Sequence, residues 1–171
     1  MGRHASSTTP REKRAAQANS RGICAENEFV GLASGILDQA SILGARRGHL
    51  LSIDAGRETW QAVAPGAAME TTKFLVCFTG AERQLATSGF NERVAQCREA
   101  ARTLGRLAGT PNTDILGAHD DETFARYGDQ LPPDLRRRAT HFFTERNRVK
   151  EGTRAWEQGD RETFGAAMRA S

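Results

Sequence analysis

Asp38 is the residue in this sequence best placed to do chemistry, within the stretch Gly35-Ile36-Leu37-Asp38-Gln39. It falls about one turn into a predicted helix, where free backbone N–H groups and the positive end of the helix dipole favour an ionised carboxylate. Such a group could accept a proton from a bound hydroxyl. By position alone, a surface aspartate in a first helical turn is the commoner meaning. Gly35 is open in the same way: a loop glycine, or a place where a missing side chain lets a ligand approach. Arg83 follows an apolar run and precedes Thr87-Ser88-Gly89, so it could lie near a phosphate, although an exposed loop arginine is the commoner explanation.

Other candidate chemistries find less support. His4, His49, His119 and His141 are scattered, and no two share metal-ligand spacing. His49 reads as a hydrogen-bonded structural residue beside a strand. Asp120-Asp121-Glu122 reads as a helix N-terminus rather than a cation site, because no ring of further oxygen ligands accompanies it. Ser34, Ser41, Thr87 and Ser88 lack the setting of a nucleophile elbow. Cys24, Cys77 and Cys97 are odd in number and widely spaced, which fits neither a disulfide framework nor a CxxC metal pair and suits a reducing cytosol. No metal site is predicted.

The 171 residues carry 24 basic and 21 acidic side chains, with both signs interspersed. With one Tyr, two Trp and eight Phe, and no aromatics alternating with Lys or Arg, the chain does not read as a nucleic-acid binder. No apolar stretch follows Met1-Gly2-Arg3, so no secretory signal is expected, and no window approaches the roughly 20 apolar residues that span a bilayer. The expected location is the cytoplasm.

The elements that must position Asp38 follow from periodicity. Residues 1–20 lack large apolar side chains and read as a tail; residues 21–171 read as the folded part. Ser34 is placed to cap a helix with Ile36, Leu37, Ile42 and Leu43 facing a core, ending near Gly44. Gly48 to Asp54 predicts a buried strand and Glu58 to Val63 its hairpin partner. Lys73-Phe74-Leu75-Val76-Cys77-Phe78-Thr79 predicts a central strand ending at Gly80.

Beyond Gly80 the period becomes helical. Val94, Cys97, Ala101, Leu104 and Leu107 mark an amphipathic helix, and a short helix is expected over Glu122 to Tyr127. Pro132-Pro133 opens a long helix with Leu135, Ala139, Phe142, Phe143 and Val149 along one side. Gly159 stops it, and Asp160 caps a last helix with Phe164 and Met168. Arg136-Arg137-Arg138 reads as a solvated face. The fold class is α+β, a small β portion over residues 48–80 followed by a mostly helical half.

Five ordered blocks carry a family resemblance. Asn27-Glu28-Phe29-Val30-Gly31, Gly35-Ile36-Leu37-Asp38-Gln39 and Gly48-His49-Leu50-Leu51-Ser52-Ile53-Asp54 resemble, in order and separation, the middle of galactokinases in the GHMP kinase superfamily. Leu85-Ala86-Thr87-Ser88-Gly89-Phe90-Asn91-Glu92-Arg93 with Cys97-Arg98-Glu99-Ala100-Ala101 is similar to the family's sugar-site loop and following helix. Arg138-Ala139-Thr140-His141-Phe142-Phe143-Thr144-Glu145, then Gly159-Asp160 and Phe164-Gly165, extend the likeness over about residues 24 to 171. The stretches Gly35 to Ser41 and His141 to Glu145, with Lys150-Glu151-Gly152 and Ala155-Trp156, look closest to galacturonokinase-like members.

The resemblance implies part of a two-domain kinase that uses ATP with Mg2+ to phosphorylate the anomeric hydroxyl of galactose or galacturonate. It implies Asp38 as the base near the C1 hydroxyl and Gly35 as a backbone contact to the sugar. Phe90 falls where many galactokinases have a sugar-binding tyrosine, and phenylalanine lacks that hydroxyl. The family's Arg-x-Asn-Leu-x-Gly-Glu-His-x-Asp-Tyr segment and Gly-Leu-Ser-Ser-Ser-Ala phosphate loop have no counterpart in this sequence. The expectation is therefore an incomplete kinase without activity alone, with a noncatalytic remnant as the alternative.

Overall fold

The computed structural model describes residues 35–80, 89–110 and 113–171, so Arg83, Ser34 and the expected tail at 1–20 lie outside the described residues. Helix α1, Leu37–Gly44, begins after Ile36 with no side-chain cap. Ile36 and Ala40, four residues apart, are its buried positions, whereas Leu37 and Ile42 are exposed. Of the expected core stripe, Ile36 is buried and Leu43 half-buried, whereas Leu37 and Ile42 turn outward and small Ala40 takes a core position instead.

Strands β1, Leu50–Asp54, and β2, Thr59–Val63, pair antiparallel from Leu50 opposite Val63 to Asp54 opposite Thr59. At the turn, Asp54 accepts hydrogen bonds from the Arg57 backbone N–H and guanidinium. A two-stranded ribbon is marginal by itself and needs a packing surface. Two contacts supply it. A Cβ at Gly44 would sit 2.5 Å from Trp60 Cδ1 and 3.0 Å from Leu51 Cδ1, so the end of α1 lies directly on the ribbon. On the other side, Val63 packs with Met69 and Trp156, and Leu50 and Phe164 border them.

After β2 the chain passes over the far end of the longest helix. Gly66 N–H donates to the Trp156 carbonyl at 2.8 Å. A Cβ there would meet Gly159 N at 2.5 Å and Glu157 O at 2.6 Å, backbone atoms that cannot swing aside. Only glycine permits this approach.

The run Lys73 to Thr79 is not a strand. Its composition suits a central strand, but among the described residues the sheet holds β1 and β2 alone, and a strand exists only where a neighbour pairs its backbone. The β portion therefore shrinks to residues 50–63.

Helix α2, Phe90–Ala108, runs between Gly89 and Gly109, both at positive φ. Helix α3, Asp121–Tyr127, is capped by Asp120, whose carboxylate accepts from Thr123 N–H at 2.8 Å. Helix α4, Pro133–Gln158, has proline in its first turn and ends at Gly159. Helix α5, Arg161–Ala170, is capped by Asp160, which accepts from Thr163 N–H at 3.0 Å. These four helices match the sequence reading closely, and the fold is α+β.

Ala100, Ala101, Leu104, Leu116, Leu131, Ala139 and Phe143 form a second core, where Phe124 and Phe143 stack with centroids 4.4 Å apart. At 1.5 Å per residue, the 26 residues of α4 extend about 39 Å, enough for its first half to enter this core while Trp156 enters the other. Arg138 ties α4 to α2 through a 2.7 Å bond from Nε to Gln96 Oε1, so the expected solvated Arg136-Arg137-Arg138 face holds for the first two arginines only.

Several carboxyls of the helical half titrate below the ordinary carboxylate range. Asp120 is lowered by the Thr123 hydroxyl and backbone N–H, and Asp160 by the Thr163 backbone N–H and then its hydroxyl. The Arg146 guanidinium lowers Asp121, and Arg148 followed by Ser171 lowers Glu145. Each folded value lies below the unfolded one, so the stabilisation is complete above the unfolded pKa of about 4. It is lost as pH falls through the lowered values. Far-UV circular dichroism should hold steady from neutral pH to about 5 and decline below about 4. Asp121→Asn should make that decline shallower; an unchanged acid limb would remove Asp121 from the account.

Candidate functional site

Asp38 is the second residue of α1 and its side chain is exposed. Burial of Ile36 and Ala40 turns the opposite side of the helix inward and leaves the carboxylate facing solvent at the positive end of the helix. The Gly44 contact with Trp60 holds the other end of α1 against the ribbon. Ser41 Oγ donates to the Leu37 carbonyl at 2.7 Å within the helix.

Gly35 lies just before the helix, and a Cβ there would meet nothing within 4 Å. Neither packing nor a positive φ requires glycine at this position, so its effect is to leave open space three residues before Asp38. A cavity of about 400 Å³ adjoins the same helix, bounded by Leu37, Leu50, Val149, Phe164 and Met168, with the Glu145–Arg148 ion pair at its edge. Its walls are mainly apolar.

Phe90 is the first residue of α2 and is half-buried. Its helix packs on α3 and α4, and α1 packs on the hairpin. Gly35 and Asp38 thus lie together at the start of α1, and Phe90 stands at the start of α2. Among the described residues, no three His, Cys, Asp or Glu side chains cluster as metal ligands. A larger hollow, about 560 Å³, lies at the start of α4 beside Arg136, Arg137 and His141, and none of the sequence-predicted site residues lines it.

One polar constellation escaped the sequence reading. His119 is buried with Nε2 at 2.9 Å from the Ala101 carbonyl, which can only accept, so this nitrogen carries the proton. Arg146 donates to the His119 carbonyl at 2.9 Å and to Asp121 at 2.8 Å, and its guanidinium lies 4.6 Å from the Phe143 ring centroid. This set fastens the loop before α3 to α2 and α4. No local spacing marks it, because the partners come from separate elements. His49, expected to be structural, is exposed, with Nδ1 3.1 Å from the Arg47 carbonyl.

No protein-family model matches the chain. The galacturonokinase of Arabidopsis thaliana is 34% identical over 148 residues, covering 85% of this chain and 35% of the relative. A Roseiflexus galactokinase is 36% identical over 149 residues, covering 86% and 36%. The crystal structure of Lactococcus lactis galactokinase complexed with galactose superposes with a TM-score of 0.71 at 27% identity, over 96% of this chain and 40% of that one.

The α+β arrangement of hairpin and helices is thus part of a GHMP-kinase fold. Within that class, the chain belongs to the galactokinase family. It spans about 35% of the length of the curated relatives it matches.

Proposed function

We propose that this chain carries the catalytic-base segment of an ATP-dependent sugar 1-kinase acting on galactose or galacturonate. Its likeness to galactokinases and a galacturonokinase supports the reaction class. The observation that carries the site is Asp38, an exposed first-turn carboxylate with open space at Gly35.

Asp38 accepts the proton of the C1 hydroxyl as that oxygen forms its bond to the γ-phosphorus of ATP, and the bond from phosphorus to the ADP oxygen breaks. Positioning and charge stabilisation account for most of such catalysis, with one carboxylate managing the proton. Gly35 leaves its backbone accessible to the sugar. ATP supplies the phosphoryl group, and Mg2+ accompanies the nucleotide in this reading. The described residues form no cluster suited to the metal, and Arg83, assigned to the phosphate, lies outside them.

The test is a graft. Residues 24–171 of this chain replace the matching stretch of the Lactococcus lactis galactokinase, and phosphate transfer from ATP to galactose and to galacturonate is measured. Transfer to either sugar supports the reading; a folded graft inactive on both overturns it.

Phe90 offers a specificity test in the same graft. If this position faces the sugar, Phe90→Tyr restores a hydroxyl worth about 0.5 to 1.5 kcal/mol, and KM for the preferred sugar falls about 2- to 12-fold. An unchanged KM removes Phe90 from the sugar site.

A further inference from the structure

Ile36, Ala40 and Gly44 stand four residues apart and so form one stripe along α1. Ile36 and Ala40 are buried and Gly44 is half-buried. Toward the C-terminal end of that stripe the side chains shrink from isoleucine to methyl to none. The end without a side chain meets Trp60, the largest residue of the ribbon. A Cβ on Gly44 would lie 2.5 Å from both Trp60 Cδ1 and Trp60 Nε1, and 3.0 Å from Leu51 Cδ1. Gly44 is not among the glycines at positive φ, so packing rather than backbone conformation calls for glycine here.

Atoms in ordinary contact stay about 3.5–4.0 Å apart, so a methyl group at Gly44 requires α1 and the indole to separate by about 1 Å. The indole belongs to a strand paired along its length, with Trp60 opposite Ile53. The helix is the element with room to move. Its eight residues make about two turns, too short to absorb a displacement by bending. Asp38 lies six residues before Gly44, about 9 Å along the axis, and moves with it. We infer that Gly44 is a positioning residue for Asp38: its missing side chain seats α1 on Trp60 and thereby fixes where the carboxylate stands. This rests on the reading of Asp38 as the base, and the contact lies wholly within the described residues.

The test compares Gly44→Ala, Asp38→Asn and the double variant in the galactokinase graft. Gly44→Ala should lower kcat about 10- to 100-fold, the scale of a 1 Å misplacement, and leave KM for ATP unchanged. In the graft that already carries Asp38→Asn it should cost nothing further, because residues acting as a unit are not additive. A contact that merely stabilises the fold slows both forms alike. Trp60→Phe loosens the same seat from the other side without a clash. It should lower kcat in the graft and not in its Asp38→Asn form, which answers the question even where Gly44→Ala does not fold. Equal losses in both forms, or a loss in neither, overturn the role of Gly44 and leave Asp38 as the base. Full activity of Asp38→Asn alone, or an inactive parent graft, overturns the reading of Asp38 and this inference with it.

Discussion

Trp156→Ala is expected to lower stability by about 3–5 kcal/mol in urea unfolding, the range for truncating a buried tryptophan. The indole is 3% exposed and lies where the hairpin, the turn at Met69 and helices α4 and α5 converge. Its Nε1–H donates to the Val63 carbonyl at 3.2 Å, and its ring centroid lies 5.4 Å from that of Phe164. Truncation leaves a cavity and a buried carbonyl without its donor, and both effects fall on the contact that holds the two-stranded ribbon to the helices. Trp156→Phe separates them. It keeps most of the apolar contact and loses the hydrogen bond, at an expected cost of about 1–3 kcal/mol. A loss under about 1 kcal/mol for the alanine variant would show that Trp156 does not secure the hairpin.

Asp38→Asn is expected to reduce kcat about 10²- to 10⁴-fold in the active graft, the usual contribution of a general base. Asparagine matches aspartate in size and retains hydrogen bonding, but it cannot take a proton from the sugar hydroxyl. Because Asp38 is exposed and its helix is seated by Ile36, Ala40 and Gly44, stability should change by no more than about 0.5 kcal/mol. A loss of rate with little change in KM or stability is the signature of a residue acting on the proton. Undiminished kcat would dismiss Asp38 as the base and leave the family assignment standing.

The two expectations differ in what made them visible. Asp38 was singled out from its local position and from the ordered blocks around it, and the structure places it exposed at a helix start. In the sequence Trp156 is a tryptophan in a long helix and part of a family-like stretch, with nothing local to mark a core role. Its importance comes from Val63 and Met69, which lie 93 and 87 residues earlier in the chain. Gly66 is similar: the sequence marks a turn, and only the approach to the Gly159 backbone explains why no side chain fits.

By itself, the sequence determined the hairpin, the four later helices with their Asp120, Asp160, Gly109 and Gly159 boundaries, and the family. The elements depend on periodicity, caps and glycine conformation, interactions among residues within a few positions of one another, whereas the family came from the resemblance of the ordered blocks. Only the tertiary structure decided that Ala40 rather than Leu37 is buried and that, among the described residues, Lys73 to Thr79 joins no sheet. It also decided that His119, Arg146 and Asp121 join separate elements. Burial and strand pairing require a partner surface, and the residue types of one segment do not specify where that surface lies.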